Sequence, residues 1–292
     1  MDSLSLPSYA KINVGLLIRD KREDGYHDIA TIFQQIDLCD ELRFQRTDGV
    51  VRVSSTDSSL PLGEENLAFK AFQVFRERLS CREGLAIHIT KRIPVGSGLG
   101  GGSSNAAATL LAANLLWGNL FSRTQLAEMA IAIGSDVPFF LYGGTALGQG
   151  RGEVLTPLHW PLDWWIVLVC PGFRISTSWA YNKAKIALTK EEKFTKFKSI
   201  FNKHIQHAPR EVLINDLEGV VFRRHPILRE LKDHMYRWDA FYASMSGSGS
   251  SVFGLFKNHE RAEELRTSLI TRKDVTVFLC RPINCHPLQG IQ

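Results

Sequence analysis

Residues 9 to 18, YAKINVGLLI, and residues 29 to 44 carry β-branched and alternating apolar side chains, the period-two pattern of strands. A turn-rich link, Arg19 to Gly25, separates them, so two strands joined by a long loop are expected. Val50 to Ser54 predicts another short strand. From Asn66 to Leu79 the period changes: Leu67, Ala68, Ala71, Phe72 and Phe75 fall at helical spacing, with Asn66 able to cap the start and Gly84 expected to mark the end. Leu85 to Thr90 alternates as a strand. A glycine cluster, Gly96 to Gly102, then leads into Ser103 to Trp117, dense in Ala and Leu and helical by propensity. A second helix is expected from Arg123 to Gly134, with Ser122 accepting from an unpaired amide of its first turn.

The second half opens on Trp164 to Cys170, an unbroken apolar run of seven residues. That is far below the roughly 20 needed to cross a bilayer, so it reads as a buried strand and no membrane partner is expected. Pro171-Gly172 turns the chain. Lys183 to Lys203 is lysine-rich and predicts an exposed helix with a solvated face. Arg210 to Val221 and Ile227 to Met235 predict further helices. Ala243 to Ser251, small and polar, lies between the aromatic segment Trp238 to Tyr242 and the strand-like Val252 to Phe256; a last helix and a strand, Val275 to Leu279, follow. This half reads β, helices, β-turn-β, helix, β. The least costly boundary is near Pro157 to Asp163, giving expected domains of residues 1–160 and 161–292.

Composition changes this picture little. With 44% apolar and 22% charged residues among 292, the chain can bury a full core, which excludes disorder and collagen. The amino terminus lacks the basic start and apolar stretch of a secretory signal, so a cytoplasmic location is expected. Five scattered cysteines, Cys39, Cys81, Cys170, Cys280 and Cys285, argue for reduced thiols. Cys280, Cys285 and His286 lie close together, but no second ligand pair stands at zinc spacing, so a strand end is favoured over a metal site. The net charge of +5 suits anionic small molecules as well as nucleic acid and does not choose between them.

The chemistry concentrates in Pro94 to Asn105, PVGSGLGGGSSN, which has five glycines and three serines in twelve positions. A loop gives up that much chain entropy where several amides and a helix start must approach one anion closely, and phosphate is the expected anion. A Walker loop needs a lysine near its end, and none occurs from Ile93 through Gln125. Gly96, Gly98 and Gly101 formally match G-x-G-x-x-G, but no Asp or Glu lies between Glu83 and Glu128 to hold a ribose. Ser103 and Ser104 stand where hydroxyls can reach phosphate oxygens or a bound Mg²⁺. Asp136 precedes Pro138 at a helix end, and as a residue alone it is either a turn or capping aspartate or a proton acceptor. Ser246 to Gly249 either closes over phosphates or forms only a hairpin turn.

PVGSGLGGGSSNAAA resembles the phosphate loop of the GHMP kinases, the superfamily of galactose, homoserine, mevalonate and phosphomevalonate kinases. YAKINVGL with the later DGYH, GSDVPFFLYGGTALGQGRGE and MSGSGSSVFGLF resemble its other signatures in order and spacing, so the likeness runs from about Ser8 to Phe256. It implies an α/β (α+β) two-domain fold, with an N-terminal ribosomal-protein-like α/β domain and a C-terminal ferredoxin-like α+β domain. It also implies ATP as donor, accompanied by Mg²⁺. The acceptor it implies is the 2-hydroxyl of a methylerythritol carrying a cytidine diphosphate, so small-molecule partners, no nucleic acid, and a monomer or weak homodimer are expected. Asp136 would take the hydroxyl proton, Lys11 would orient that carboxylate, and Asn13 on the same strand face would bind a hydroxyl. Tyr26 and His27 would stack on and read the cytosine, with Thr177 and Tyr181 completing that pocket and the base lying between Tyr26 and Tyr181. Pro94, Val95, Gly96, Ser97, Gly98, Leu99, Gly100, Gly101, Gly102, Ser103 and Ser104 would hold the triphosphate, with Asn66 and Lys91 near the adenine. Two rivals remain: a kinase of the same superfamily acting on mevalonate or homoserine, and a non-catalytic or RNA-binding module. Retention of both Lys11 and Asp136 argues against the second.

Overall fold

The computed structural model describes residues 2–184, 191–198, 205 and 210–284. Two long strands, β1 (Ser3–Lys21) and β2 (His27–Thr47), pair antiparallel and form the spine of the first sheet. The other edge of β2 is shared: Ile29 to Gln34 pair with β5 (Thr145–Gly150), and Glu41 to Thr47 pair with β4 (Gly84–Thr90). β3 (Arg52–Ser55) runs parallel to β4 at one end, and β6 (Val154–Leu158) closes the other. In β1, Val14 opposes Ile32 while Leu16 opposes Thr31, leaving Gly15 as an extra, bulged residue with φ of 74°. A side chain there would run into the Phe197 ring, so this bulge needs glycine both for its dihedral and for its space.

Helices α1 (Leu67–Leu79), α2 (Gly101–Leu116), α3 (Arg123–Ile133) and α4 (Val137–Tyr142) cover one face of this sheet. Asn66 caps α1, and Ser122 with Gln125 forms a reciprocal capping box at α3, as the pattern predicted. α1 ends at Ser80, which takes a left-handed conformation (φ 55°), not at Gly84; Gly84 instead begins β4, where a Cβ would collide with Val50 backbone atoms. α2 starts two residues before the expected Ser103, because Gly101 and Gly102 already adopt helical geometry. The periodicity did not predict α4, β5 or β6, whose segments are only five or six residues long.

A second sheet, in the order β10-β7-β9-β8, contains β7 (Trp165–Pro171), β8 (Tyr242–Met245), β9 (Val252–Phe256) and β10 (Val275–Cys280), all antiparallel. Strand order 4-1-3-2 with helices after the first and third strands is the split βαβ arrangement expected for this half. α5 (Thr177–Lys183), α6 (Glu191–Lys198), α7 (Glu218–Arg224), α8 (Pro226–Arg237) and α9 (His259–Ile270) complete it. The helix expected over Arg210 to Val221 forms only from Glu218. Before that, the chain makes a bridge of Asn215 to Leu16, fixed by Leu16 N donating to Ile214 O and Asp216 N to Leu16 O. The lysine-rich helix is not a solvated face alone, since Phe194 and Phe197 are buried. The rest of that region (185–190, 199–204), like Cys285 and His286, lies outside the described residues.

Apolar residues from both sheets meet in one cluster. Ile12, Val14 and Ile32 of the first pack with Trp164, Ile166, Leu168 and Phe253 of the second. Among the described residues no helix is long and apolar enough to cross a membrane.

Candidate active site

The glycine loop lies along one wall of a cavity of about 870 Å³ between the two sheets. Gly96, Gly98 and Gly100 alternate through left-handed dihedrals (φ 69°, 81° and 71°), which L side chains rarely adopt. Space demands glycine as well: a Cβ on Gly98 would collide with the Ser246 carbonyl, and one on Gly100 would lie 2.7 Å from the Phe140 ring. Gly100 is the N-cap of α2 and no side chain caps that end, so the first-turn amides face the cavity beside Gly101, Gly102 and Ser103. A helix start with open amides and a positive macrodipole end is an anion site.

The two adjacent serines diverge. Ser103 lines the cavity, whereas Ser104 is buried with its Oγ 2.8 Å from Ser8 Oγ. Ser97 lines it too, but its hydroxyl is committed to Pro94 O at 2.7 Å.

Lys11 sits under the loop, 4% exposed, and its ammonium spends its three donors within the site. It donates to Gly98 O (3.0 Å) and Asn13 Oδ1 (2.5 Å) and pairs with Asp136 Oδ2 at 3.5 Å. Its backbone N–H donates to Leu99 O, tying β1 to the loop. Asn13 is fixed in turn: its Nδ2 donates to Thr31 Oγ1, which donates to Gly15 O. That chain leaves Asn13 Oδ1 facing the ammonium. Burial pushes the Lys11 pKa below the ordinary lysine value, and the Asp136 carboxylate opposes that shift.

Asp136 occupies the N-cap position of α4, yet its carboxylate makes no capping hydrogen bond. Pro138 in the first turn and Val137 N donating to Gly134 O fix the backbone there, and the side chain, 32% exposed, opens on the cavity. A carboxylate released from capping and held beside a buried cation can accept a proton from a bound hydroxyl.

At the far end stand Tyr26, His27, Thr177 and Tyr181, all lining the cavity. Tyr181 is half-buried, and desolvation of its hydroxyl together with the Asp136 charge raises its pKa. Thr177 and Tyr181 share one face of α5, and Thr177 Oγ1 lies 2.9 Å from Ser248 Oγ. His27 stacks on Tyr181 with centroids 5.4 Å apart, and its pKa is lowered by burial and then by Lys21. Tyr26 is 54% exposed with the Arg151 guanidinium over its ring at 4.8 Å. No ring pair joins Tyr26 directly to Tyr181 among the described residues; His27 occupies the near face of the Tyr181 ring.

Two predicted site residues serve the framework. Asn66 accepts from Ala68 N (2.9 Å) and donates to Pro61 O (2.7 Å), so both ends of its buried amide are used, and it is not among the residues lining the cavity. Lys91 does line the cavity but pairs with fully buried Asp40 at 2.9 Å and donates to Ile93 O. Asp40 Oδ1 also accepts from Arg92 N and Ile93 N, both at 2.8 Å, and so fixes the entry to the glycine loop.

Ser246 to Ser251 is both the β8–β9 turn and a clamp on that loop. Ser246 Oγ donates to Gly98 O (2.9 Å) and Ser251 N to Ser97 O (3.1 Å), while Gly247 and Gly249 reach the cavity. Buried Asn215 holds the clamp by donating to Met245 O and Gly247 O. Sequence reasoning missed Asp40, Arg151 and Asn215. Asp40 breaks an apolar pattern inside a strand and Arg151 lies within the GQGRGE end of a quoted signature, the signals that could have found them; Asn215 carries none.

Known proteins resemble this chain along most of its length. The GHMP kinases N terminal domain matches residues 66–144 and the GHMP kinases C terminal domain residues 201–274. A 4-diphosphocytidyl-2-C-methyl-D-erythritol kinase of Alkaliphilus oremlandii is 42% identical over 267 residues, covering 90% of this chain and 91% of that protein. One from Syntrophus aciditrophicus is 40% identical over 281 residues, covering 96% and 100%. Among solved structures, a 4-(cytidine 5'-diphospho)-2C-methyl-D-erythritol kinase superposes with a TM-score of 0.76 at 31% identity, covering 95% of this chain and 99% of that one. A homoserine kinase from Cytophaga hutchinsonii reaches the same TM-score at 20% identity, covering 98% and 96%, and shares the fold. With both domain signatures in place and such relatives along nearly its whole length, the chain belongs to the GHMP kinases.

Proposed function

We propose that this protein is an ATP-dependent 4-diphosphocytidyl-2-C-methyl-D-erythritol kinase of isoprenoid precursor synthesis, transferring the γ-phosphoryl group of ATP to the substrate's 2-hydroxyl. The observation that carries it is buried Lys11, which touches the phosphate-loop carbonyl of Gly98 on one side and the Asp136 carboxylate on the other. Phosphoryl transfer needs a phosphate cradle and a proton acceptor held in register, and one side chain sets that register here. Asp136 takes the hydroxyl proton as the new O–P bond forms and the bond to the β-phosphate oxygen breaks, leaving its electron pair on ADP. Lys11 steadies the carboxylate and the developing alkoxide. Tyr26, His27, Thr177 and Tyr181 give the other end of the cavity the flat, hydrogen-bonding character a cytosine requires.

Mg²⁺ fits as the companion of the nucleotide. Such an ion would be held mainly by the nucleotide's phosphate oxygens. Ser103 is the cavity hydroxyl that would help hold it, and the ion would supply charge neutralisation.

A coupled assay of ADP formation over a panel of alcohols tests the reading. Turnover is expected with the cytidine diphosphate substrate and background rates with mevalonate and homoserine. Comparable rates with either of those would overturn the substrate assignment.

A further inference from the structure

Asn215 stands where β1 meets the β8–β9 turn, and its side chain is fully committed there. The residue is 4% exposed. Its Nδ2 donates to Met245 O (2.9 Å) and to Gly247 O (2.8 Å), and its Oδ1 accepts from Leu217 N (3.0 Å). One amide thus holds the carbonyls on either side of Ser246. Among uncharged side chains only Asn and Gln carry two donors on one nitrogen, so the task selects the residue type. Glu218 holds the same strand end from the other side: its Oε1 accepts from Met245 N at 2.9 Å, while Lys232 pairs with its other oxygen at 2.6 Å.

The segment that carries Asn215 is itself fixed on β1. Leu16 N donates to Ile214 O and Asp216 N to Leu16 O, and the Asp216 carboxylate accepts from Ile18 N at 2.8 Å. The contact returns to β1 through the turn. Ser246 Oγ accepts from Asn13 N (3.3 Å) and donates to Gly98 O (2.9 Å), the same carbonyl that Lys11 Nζ uses at 3.0 Å. Gly247 comes so close that a Cβ there would lie 3.1 Å from Asn13 Oδ1 and 3.6 Å from Lys11 Nζ. A closed ring results, from Leu16 through Asn215 and Ser246 back to Asn13, with Gly98 O gripped between the Ser246 hydroxyl and the Lys11 ammonium.

We infer that Asn215 is a positioning residue for phosphoryl transfer: its amide fixes the Ser246 turn against β1, and the Ser246 hydroxyl then holds the Gly98 carbonyl where the Lys11 ammonium meets it. The inference rests on the function proposed above. Asn215 is not among the residues lining the cavity, so it acts through the turn and not on a ligand. The leverage is large, because a displacement of about 1 Å near a reacting centre can cost about 100-fold in rate.

Turnover per folded molecule in N215S, in S246A and in the double variant tests this, with the folded fraction read by circular dichroism. N215S keeps an oxygen near Leu217 N and removes both donors to the turn. Its kcat for the cytidine diphosphate substrate should fall roughly 10- to 100-fold. Cytidine 5'-diphosphate, titrated calorimetrically, should bind within about threefold of wild type, because Asn215 makes no contact with the aromatic end. S246A should lose kcat by a similar factor. Since both residues act on Gly98 by one route, the double variant should lose little more than the worse single variant. N215D keeps the side chain's shape without its donors and reads the same quantities if N215S fails to fold. Unchanged kcat per folded molecule, with only lower stability, would mean that Asn215 is a framework residue and overturns the inference. A double variant whose loss is the product of the single losses overturns it too, as does weakening of cytidine 5'-diphosphate binding in step with kcat. Wild-type turnover with N215S unchanged sinks this inference alone, whereas no wild-type turnover sinks the proposed function itself.

Discussion

Lys11 and Asp136 divide one task between a buried cation and a half-open carboxylate. Replacing Asp136 with Asn keeps the shape and the neighbours while removing the proton acceptor. D136N should lower kcat about 10²- to 10⁴-fold and leave the affinity for an ATP analogue within a few-fold, as read by steady-state rates and titration. Lys11 gives the alkaline limit. Burial holds its pKa below the ordinary lysine value, so kcat/KM should fall as pH rises through a region below about 10.5, and a profile flat to that pH would contradict the role. For stability the sign reverses. Between the folded and unfolded values the unfolded chain binds the extra proton, so Lys11's own contribution favours folding more as pH rises. At this scale the sequence was legible where residue type and motif coincide, as at Lys11, Asp136 and the glycines. It was silent where a role depends on a distant partner: Ser104 turns to Ser8 across 96 positions, and Asn215 holds a loop 30 residues on.

Among the elements, the passage from β4 into the glycine loop depends on the Asp40–Lys91 pair. Asp40 comes from β2 and is fully buried, so removing its partner strands a charge, whereas removing both leaves only the Arg92 and Ile93 amides without their acceptor. Lys91→Met should cost about 3–5 kcal/mol in urea unfolding, and the double variant Asp40→Leu with Lys91→Met should recover only part of that loss, because Arg92 N and Ile93 N lose their acceptor. If the double variant regains stability yet still binds the ATP analogue weakly, the pair's use is to place Arg92 and Ile93 amides at the loop entry. Element prediction followed the strength of each local signal. α1, α3 and β7 have full periods and caps, and they were found nearly to the residue. α4 has six residues, and β5 and β6 sit among glycines, so no periodicity could accumulate. Over 210–217 an apparently helical pattern lost to a tertiary bridge, because Leu16 N and O find partners at Ile214 and Asp216.

For the molecule as a whole, the active site is a consequence of how the two sheets share one core. Ile12 and Val14 flank Lys11 and Asn13 on β1, and they pack against Trp164, Ile166 and Phe253 of the second sheet. The same alternation that buries the even-numbered face of β1 against the second sheet therefore turns Lys11 and Asn13 the other way, with Lys11 against the glycine loop beside that seam. Across that seam the Ser246 turn grips the glycine loop, so neither sheet can loosen without opening the phosphate cradle. Unfolding should accordingly be a single transition. Five of the six tryptophans lie at or beyond Trp160, so fluorescence weights the second half, while far-ultraviolet circular dichroism reports helices of both. The two probes should give the same urea midpoint. An ATP analogue at 100 times its Kd should raise stability by about 2.7 kcal/mol in both signals equally. A fluorescence transition that lags behind the dichroism, or a ligand shift confined to one of them, would show that the halves unfold separately and that the shared cluster does not couple them.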